Sequence, residues 1–166
     1  HHCPSVLKPP FTHVRTGIGL HGSFTGEANT LGLRPVFSLK TRLLAHRMMP
    51  AGHGIGYNST CRLEKATRVG TVTAGYADGL PLGLSNRGHV LIQGKPCPIL
   101  GRISMDYTTV SLEAFGDDPP SPGEVVTLIG GTGKSAVTVE SWAGLKGTHP
   151  YDVLCSFGPR VERIHV

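Results

Sequence analysis

Glycine and proline recur along the whole chain, and they limit what it can fold into more than any other feature. Among its 166 residues are 23 Gly and 13 Pro, spread without a repeat or a single-residue tract. Helix interiors disfavour both, because Gly costs about 1 kcal/mol and Pro about 3 kcal/mol relative to Ala. The 39% of hydrophobic residues still suffice for a core. We therefore expect one mostly β domain of short strands joined by turns.

Alternating apolar and polar residues, bounded by turn signals, predict seven or so strands in a closed or sandwiched β domain. Gly94, in the "QGK" that separates two apolar runs, predicts a β-hairpin. The segment "VTVESWAGLKGT" predicts a short helix that Ser141 caps and Gly147 ends. The predicted strands lie in segments 11–20, 35–48, 67–76, 89–102, 104–113 and 125–131, with one or two more in 151–166.

The charge pattern does not favour a nucleic-acid surface. A net charge of +5 suits an anionic partner, but the basic residues are scattered, with no block and no aromatic interleaving. The four cysteines are far apart, never form C-x-x-C and follow no signal peptide, which predicts reduced thiols in a cytoplasmic protein. No apolar run approaches the roughly 20 residues that span a bilayer. We expect neither nucleic acid nor a membrane as a partner.

Two motifs and one set of residue types suggest known sites but do not meet the requirements of those sites. "GIGLHG" fits G-x-G-x-x-G, yet a polar loop follows where a dinucleotide fold needs a helix. "GGTGKSA" resembles a phosphate loop, but Leu128 stands where its first glycine belongs. The histidines and cysteines lack the spacing of zinc ligands, so we expect no metal.

The segment "AGHGIGYNST" places Tyr57 among glycines and small polar residues that can hardly hold it in a core. One interpretation is a shaped loop whose phenol points at a ligand. The other is an ordinary turn with a half-exposed tyrosine. The segment alone leaves both open.

Five segments, in order and at similar separations, resemble the C-terminal part of the alanine racemases, pyridoxal-phosphate enzymes built from a (β/α)8 barrel and a β domain. They are "VRTGIGLHG", "GHGIGYNST", "GYADGLPLGLSNRG", "PILGRISMDYTTV" and "THPYDVLC". "GYADG" and "GRISMD" are the most specific. The resemblance covers residues 7–160 and implies two parts. Residues 1–30 would be a remnant of the barrel, with its last strand and the loop after it, and residues 31–166 a C-terminal-like β domain.

The resemblance implies that Tyr57 is the catalytic tyrosine of an enzyme that interconverts L- and D-alanine. Racemisation removes a proton from one face of the α-carbon and returns one to the other face, so it needs two bases. A free phenol has a pKa of about 10 and acts as a base near neutrality only where cations or hydrogen bonds favour phenolate. The family's other base is the Schiff-base lysine of the barrel, and no lysine here matches it. We expect a fragment that is inactive alone.

The resemblance also implies which residues hold pyridoxal 5'-phosphate. Arg15 matches the arginine that hydrogen-bonds the pyridine nitrogen, where it leaves the ring a weaker electron sink. Gly17 and Ile18 match positions whose backbone N–H groups hold the phosphate. Tyr151 matches a tyrosine whose hydroxyl also reaches the phosphate.

A second group matches residues around the substrate, a small amino acid. Tyr76 and Met105 match residues at the mouth of the site that hold its carboxylate. Arg102 matches a positive residue of the access channel. Two subunits of the family pack head to tail, so the resemblance implies a homodimer in which Tyr57 and this group serve the partner's site. The residues that match cofactor ligands would serve the active site of their own subunit.

Some features leave the function open. Leu82 stands where the family usually has an arginine, and His21 and Asn58 also depart from its pattern, so alanine, serine and a broader set of substrates all remain possible. An alternative of another class is a non-catalytic β module that binds an anionic ligand. A third is a unit that only dimerises.

Overall fold

The computed structural model describes residues 10, 12–13, 15–24 and 32–165. Eight strands and two α-helices lie within these ranges, together with short 3-10 helices. The strands and helices are β1 Leu39–Met49, β2 Gly54–Ile55, β3 Cys61–Arg62, β4 Thr67–Val72, β5 His89–Ile92, β6 Lys95–Pro98, β7 Thr108–Ser111, β8 Val125–Ile129, α1 Val139–Lys146 and α2 Pro150–Cys155. The 3-10 helices are Ile18–His21, Tyr57–Ser59, Tyr76–Asp78, Leu82–Leu84, Glu113–Phe115 and Gly133–Ser135.

Six strands form one antiparallel sheet in the order β6-β5-β8-β1-β4-β7. The long strand β1 pairs with β8 through its first half and with β4 through its second half, with a bulge between Leu43 and Ala45. A bridge between Ile99 and Val110 joins the two edges of the sheet, where the Leu100 amide donates to the Thr109 carbonyl at 2.8 Å. The sheet is therefore nearly closed, which confirms the prediction of a mostly β domain.

Apolar side chains fill the sheet interior and a smaller second core. Fully buried residues of the main core include Val72, Ile92, Val110 and Val126. The second core contains Met49, Ile55, Leu63 and Val69, and it lies at the hairpin of β2 and β3. This second core matters for the site, because it anchors the hairpin whose loop carries Tyr57.

The predicted hairpin at Gly94 is confirmed. Strands β5 and β6 are joined by Gln93 and Gly94, and Ile92 pairs with Lys95. Both loop residues have positive φ, 50° and 75°. Two such residues in succession match the right-handed twist of the flanking strands. Cys97 of β6 is fully buried, and burial raises the pKa of its thiol to about 11.

The predicted strand in 11–20 is not found in the described residues of that segment, which are 12–13 and 15–20. Ile18–His21 form a 3-10 helix instead, and the rest has no regular structure. A strand needs a neighbour to satisfy its backbone groups. Within the part of the chain that the structure describes, no strand pairs with this segment. Its assignment to a barrel stays a prediction.

Two predictions near the C-terminus were wrong. Thr138, not Ser141, is the N-cap of α1, and the two residues form a reciprocal capping box. Gly147 does end the helix, in the left-handed conformation. Residues 151–166 were expected to form strands, but α2 begins at Pro150, and residues 156–165 contain no strand. Proline is favoured in the first turn of a helix, and the His149 side chain accepts a hydrogen bond from the Tyr151 amide.

Candidate active site

Tyr57 projects from a tightly folded loop between β2 and β3. The loop backbone has positive φ at Gly56, Asn58 and Ser59, at 72°, 60° and 48°. A side chain on Gly54 would collide with Ser59, so the loop is folded against its own start. The Tyr57 side chain nevertheless remains 64% exposed. The structure shows a tightly shaped loop with an exposed phenol. Whether that phenol faces a ligand stays a prediction.

The Tyr57 loop is joined to the loop that carries Arg102 by two close backbone approaches. A Cβ on Gly56 would lie 2.5 Å from the Arg102 nitrogen. A Cβ on Gly101 would lie 2.4 Å from the Ile55 carbonyl oxygen. Real Cβ atoms do not come so close, so only glycine permits this junction. It brings the backbone next to Tyr57 against the backbone of Arg102, whose side chain is exposed.

Two further residues, Asn86 and Ser85, brace this junction, although neither was predicted to have a role. The Asn86 side chain accepts from the Gly101 amide at 2.6 Å and donates to the Thr60 hydroxyl at 3.2 Å. The Ser85 hydroxyl accepts from the Ile103 amide at 3.1 Å. Asn86 has φ 59°, a conformation that asparagine tolerates better than most residues. The sequence offered one signal for Asn86, because it lies in "GLSNRG", which is part of a segment that resembles the alanine racemases.

Tyr76 and Met105 are held together by hydrogen bonds between their loops. The amides of Tyr76 and Ala77 donate to the carbonyl oxygens of Ser104 and Met105, both at 3.0 Å. A Cβ on Gly75 would lie 2.3 Å from each of these oxygens. The side chains of Tyr76 and Met105 are 43% and 51% exposed. We call Tyr57, Tyr76, Arg102 and Met105 the loop cluster, because they share one set of joined, exposed loops.

A second contact joins Gly17 to Tyr151, which lie far apart in the sequence. A Cβ on Gly17 would lie 2.3 Å from the Tyr151 hydroxyl oxygen, so the hydroxyl rests against bare backbone. Ile18 is 2% exposed and begins the 3-10 helix that follows. The first N–H groups of any helix have no partner within it. The Tyr151 hydroxyl therefore lies against the backbone that begins this short helix. Arg15 is exposed and lies two residues before Gly17.

Arg160 connects the segment that follows α2 to the loop cluster. Its Nε lies 3.2 Å from Asp78, and its terminal nitrogen donates to Asp106 at 2.7 Å. The hydrogen bond to Asp106 and the charge of Asp78 raise the pKa of the Arg160 guanidinium above its ordinary value. No sequence motif pointed to Arg160, since its two partners lie in other segments.

The described residues contain neither a candidate metal site nor a helix that could span a membrane. Within 10, 12–13, 15–24 and 32–165, no three His, Cys, Asp or Glu side chains come together as metal ligands. The helices of these ranges are all too short or too polar to cross a membrane.

These features define a class: a nearly closed antiparallel β domain that presents tyrosine, arginine and methionine on braced loops. The family described as "Alanine racemase, C-terminal domain" matches residues 36–165. The chain therefore belongs to the alanine racemase family and corresponds to its C-terminal domain.

Individual relatives agree with this assignment. The chain is 39% identical to the alanine racemase of Synechocystis over 153 residues, 91% of this chain and 41% of that protein. Among solved structures, alanine racemase from Bartonella henselae with covalently bound pyridoxal phosphate matches with a TM-score of 0.81 and 33% identity, covering 90% of this chain and 40% of that one. Alanine racemase from Bacillus anthracis with bound L-Ala-P has a TM-score of 0.78 and 32% identity, covering 87% and 37%. The chain thus spans about two fifths of these relatives.

Proposed function

We propose that this chain supplies part of the active site of a pyridoxal-phosphate-dependent alanine racemase and contributes Tyr57 as one of two bases. The observation that carries the proposal is the Tyr57 loop. Its backbone is fixed by glycine junctions and by Asn86, while the phenol remains 64% exposed. A tyrosine that served only the core would be buried.

The residues present fit the phosphate end of the cofactor. A side chain at Gly17 would take the space that the Tyr151 hydroxyl occupies, so this position is kept free of side-chain atoms. The N–H groups of Gly17 and Ile18 and the Tyr151 hydroxyl would hold the phosphate, and Arg15 would face the pyridine nitrogen. When bound, the cofactor supplies the electron sink that lets an α-proton leave an amino acid.

The loop cluster would do the work of binding and proton transfer. In one direction the Tyr57 phenolate takes the α-proton from one face of the substrate and becomes the phenol, and in the other direction the phenol returns a proton to that face. Met105, through its backbone N–H, and Tyr76 orient the substrate carboxylate, and Arg102 attracts it towards the site. The second base is a lysine of a barrel outside this sequence. Substrate preference, for alanine or a broader set, is set in part by Leu82, which is 45% exposed.

We propose that the loop cluster completes the site of a second subunit in a homodimer. Tyr57, Tyr76 and Met105 are large and exposed, and backbone contacts fix their loops without burying these side chains. Exposed large side chains grouped in this way are typical of surfaces that another protein covers. We also place the enzyme in the cytoplasm, which suits the free thiols of Cys61, Cys97 and Cys155.

The direct test joins this chain to the barrel of a racemase relative that carries the cofactor lysine. We expect the joined protein to bind pyridoxal phosphate, to interconvert L- and D-alanine and to form dimers. This chain alone and the barrel alone are the controls, and both are expected to be inactive. A joined protein that folds, dimerises and binds the cofactor but leaves both alanine enantiomers unchanged would contradict the proposal.

The contact between Gly17 and Tyr151 gives a separate prediction for cofactor binding. Gly17→Ala should weaken pyridoxal phosphate binding by about tenfold, because the new methyl group displaces the Tyr151 hydroxyl and costs one hydrogen bond to a charged group. Tyr151→Phe should cost a similar amount, since it removes the same hydroxyl.

The double variant tests the cause. If the methyl group acts through the hydroxyl, Gly17→Ala should add little in a Tyr151→Phe background. Cofactor affinity of all four proteins is measured by absorbance titration of the joined protein. Fully additive losses would show that the methyl group at position 17 does not act by displacing the Tyr151 hydroxyl.

A further inference from the structure

Arg160 contacts two different loops of the active-site face at once. Its Nε and its terminal nitrogen reach the Oδ1 atoms of Asp78 and Asp106, at 3.2 and 2.7 Å. A guanidinium group is planar and presents several donors in a fixed geometry, so it can bind two carboxylates with its separate edges. A flexible ammonium group holds such a pair less rigidly.

Both carboxylates belong to the backbone framework of the loop cluster. Asp78 ends the 3-10 helix that begins at Tyr76, and its Oδ2 accepts from the Gly75 amide at 3.0 Å. Asp106 directly follows Met105. Arg160 therefore binds the two loops that present Tyr76 and Met105, beside the hydrogen bonds that already join them.

The segment that carries Arg160 is itself fixed on the same face. The Ser156 hydroxyl donates to the Gly79 carbonyl at 3.2 Å. Phe157 is 6% exposed, and a Cβ on Gly79 would lie 2.8 Å from its ring. These contacts fix the chain between Arg160 and the end of α2, the helix that carries Tyr151.

From this arrangement we propose that Arg160 is a positioning residue, which fixes the relative placement of Tyr76 and Met105 and thereby sets the affinity for the amino-acid substrate. The proposal rests on the proposed function of these two residues in holding the substrate carboxylate. Arg160 touches neither substrate nor cofactor in this role. Its side chain and those of Asp78 and Asp106 are partly exposed, at 50%, 20% and 45%, so its effect is on loop geometry more than on global stability.

The test compares Arg160→Met with Arg160→Lys and with Arg163→Met as the matched control. Arg163 lies in the same C-terminal segment, but its guanidinium donates to a backbone carbonyl, that of Phe157, at 2.7 Å. Two quantities are measured for each protein joined to a barrel. One is the split between KM and kcat for alanine, and the other is hydrogen exchange at the amides of Tyr76 and Ala77.

We expect Arg160→Met to raise KM about 3- to 10-fold with kcat changed less than about twofold, because a misplaced binding group costs ground-state binding first. The Tyr76 and Ala77 amides should exchange faster in the same variant. Arg160→Lys should lie between Arg160→Met and the wild type, and Arg163→Met should match the wild type in both measurements.

Other outcomes overturn the proposal. Equal changes in Arg163→Met would mean that only the C-terminal segment had loosened. Unchanged amide exchange in Arg160→Met, or a fall in kcat without a rise in KM, would show that Arg160 does not position the loops for substrate. If the wild-type joined protein is itself inactive, the proposed racemase function is contradicted. Amide exchange at Tyr76 and Ala77 then still shows whether Arg160 holds the two loops together.

Discussion

Replacing Tyr57 with phenylalanine is expected to lower kcat/KM for alanine racemisation by about 10²- to 10⁴-fold, the usual contribution of a positioned acid–base group. The change removes one oxygen and keeps the ring. Because Tyr57 is 64% exposed on a loop fixed by backbone contacts, folding should be unaffected. Racemase activity of the joined protein and its thermal unfolding are the two measurements.

Proton exchange in D2O distinguishes the loss of one base from general damage. With Tyr57 gone, the lysine still faces one side of the substrate, so the α-proton of one alanine enantiomer should still exchange while interconversion is lost. Tyr107→Phe is the matched control, because Tyr107 is also exposed, at 48%, and follows Met105 by two residues. Racemisation within about threefold of the wild type in Tyr57→Phe would exclude Tyr57 as a base.

Gly75→Ala should have the largest effect on stability, a loss of at least about 2 kcal/mol in the free energy of unfolding. The added Cβ would lie 2.3 Å from the carbonyl oxygens of both Ser104 and Met105. Those oxygens belong to rigid backbone and accept the hydrogen bonds that join the two loops. The loops must separate to admit the methyl group, so substrate affinity should fall together with stability. Urea denaturation measures the first effect and KM the second.

Gly144→Ala provides the control for the same chemical change. Gly144 lies within α1, and a Cβ there meets nothing within 4 Å. Alanine is the better helix former, so this variant should gain about 0.5–1 kcal/mol. If Gly75→Ala and Gly144→Ala unfolded at the same urea concentration, the close approach at Gly75 would not be a stability determinant.

The sequence predicted those parts of the fold that are decided by residues adjacent to one another in the chain. Gly94 sets the β5–β6 hairpin through its own backbone preference and that of the residue before it, and Gly147 ends α1 in the same local way. The prediction of strands in residues 151–166 was wrong, because a short apolar run fits a strand or a helix equally well. There the deciding signal was Pro150 in the first helical turn, with His149 capping it.

The local form of the loop that carries Tyr57 was predictable from the sequence, but the way in which the candidate residues come together was not. The glycines around Tyr57 indicated a shaped loop, and the structure shows the phenol exposed. The contact of Gly17 with Tyr151 joins distant segments, as does the pairing of Arg160 with Asp78. Contacts of this kind depend on how the sheet closes, and no local pattern encodes them.

The position of β8 in the sheet has a consequence for biosynthesis. This strand lies between β5 and β1, yet it follows both in the chain. Until the ribosome has made it, no strand joins β5 to β1, and the strand pairing between the β5–β6 hairpin and the β1–β4–β7 half is limited to the bridge between Ile99 and Val110 in the described residues. The sheet can therefore close only after β8 has been synthesised, and Tyr151, which follows β8 in the chain, can meet Gly17 only after that.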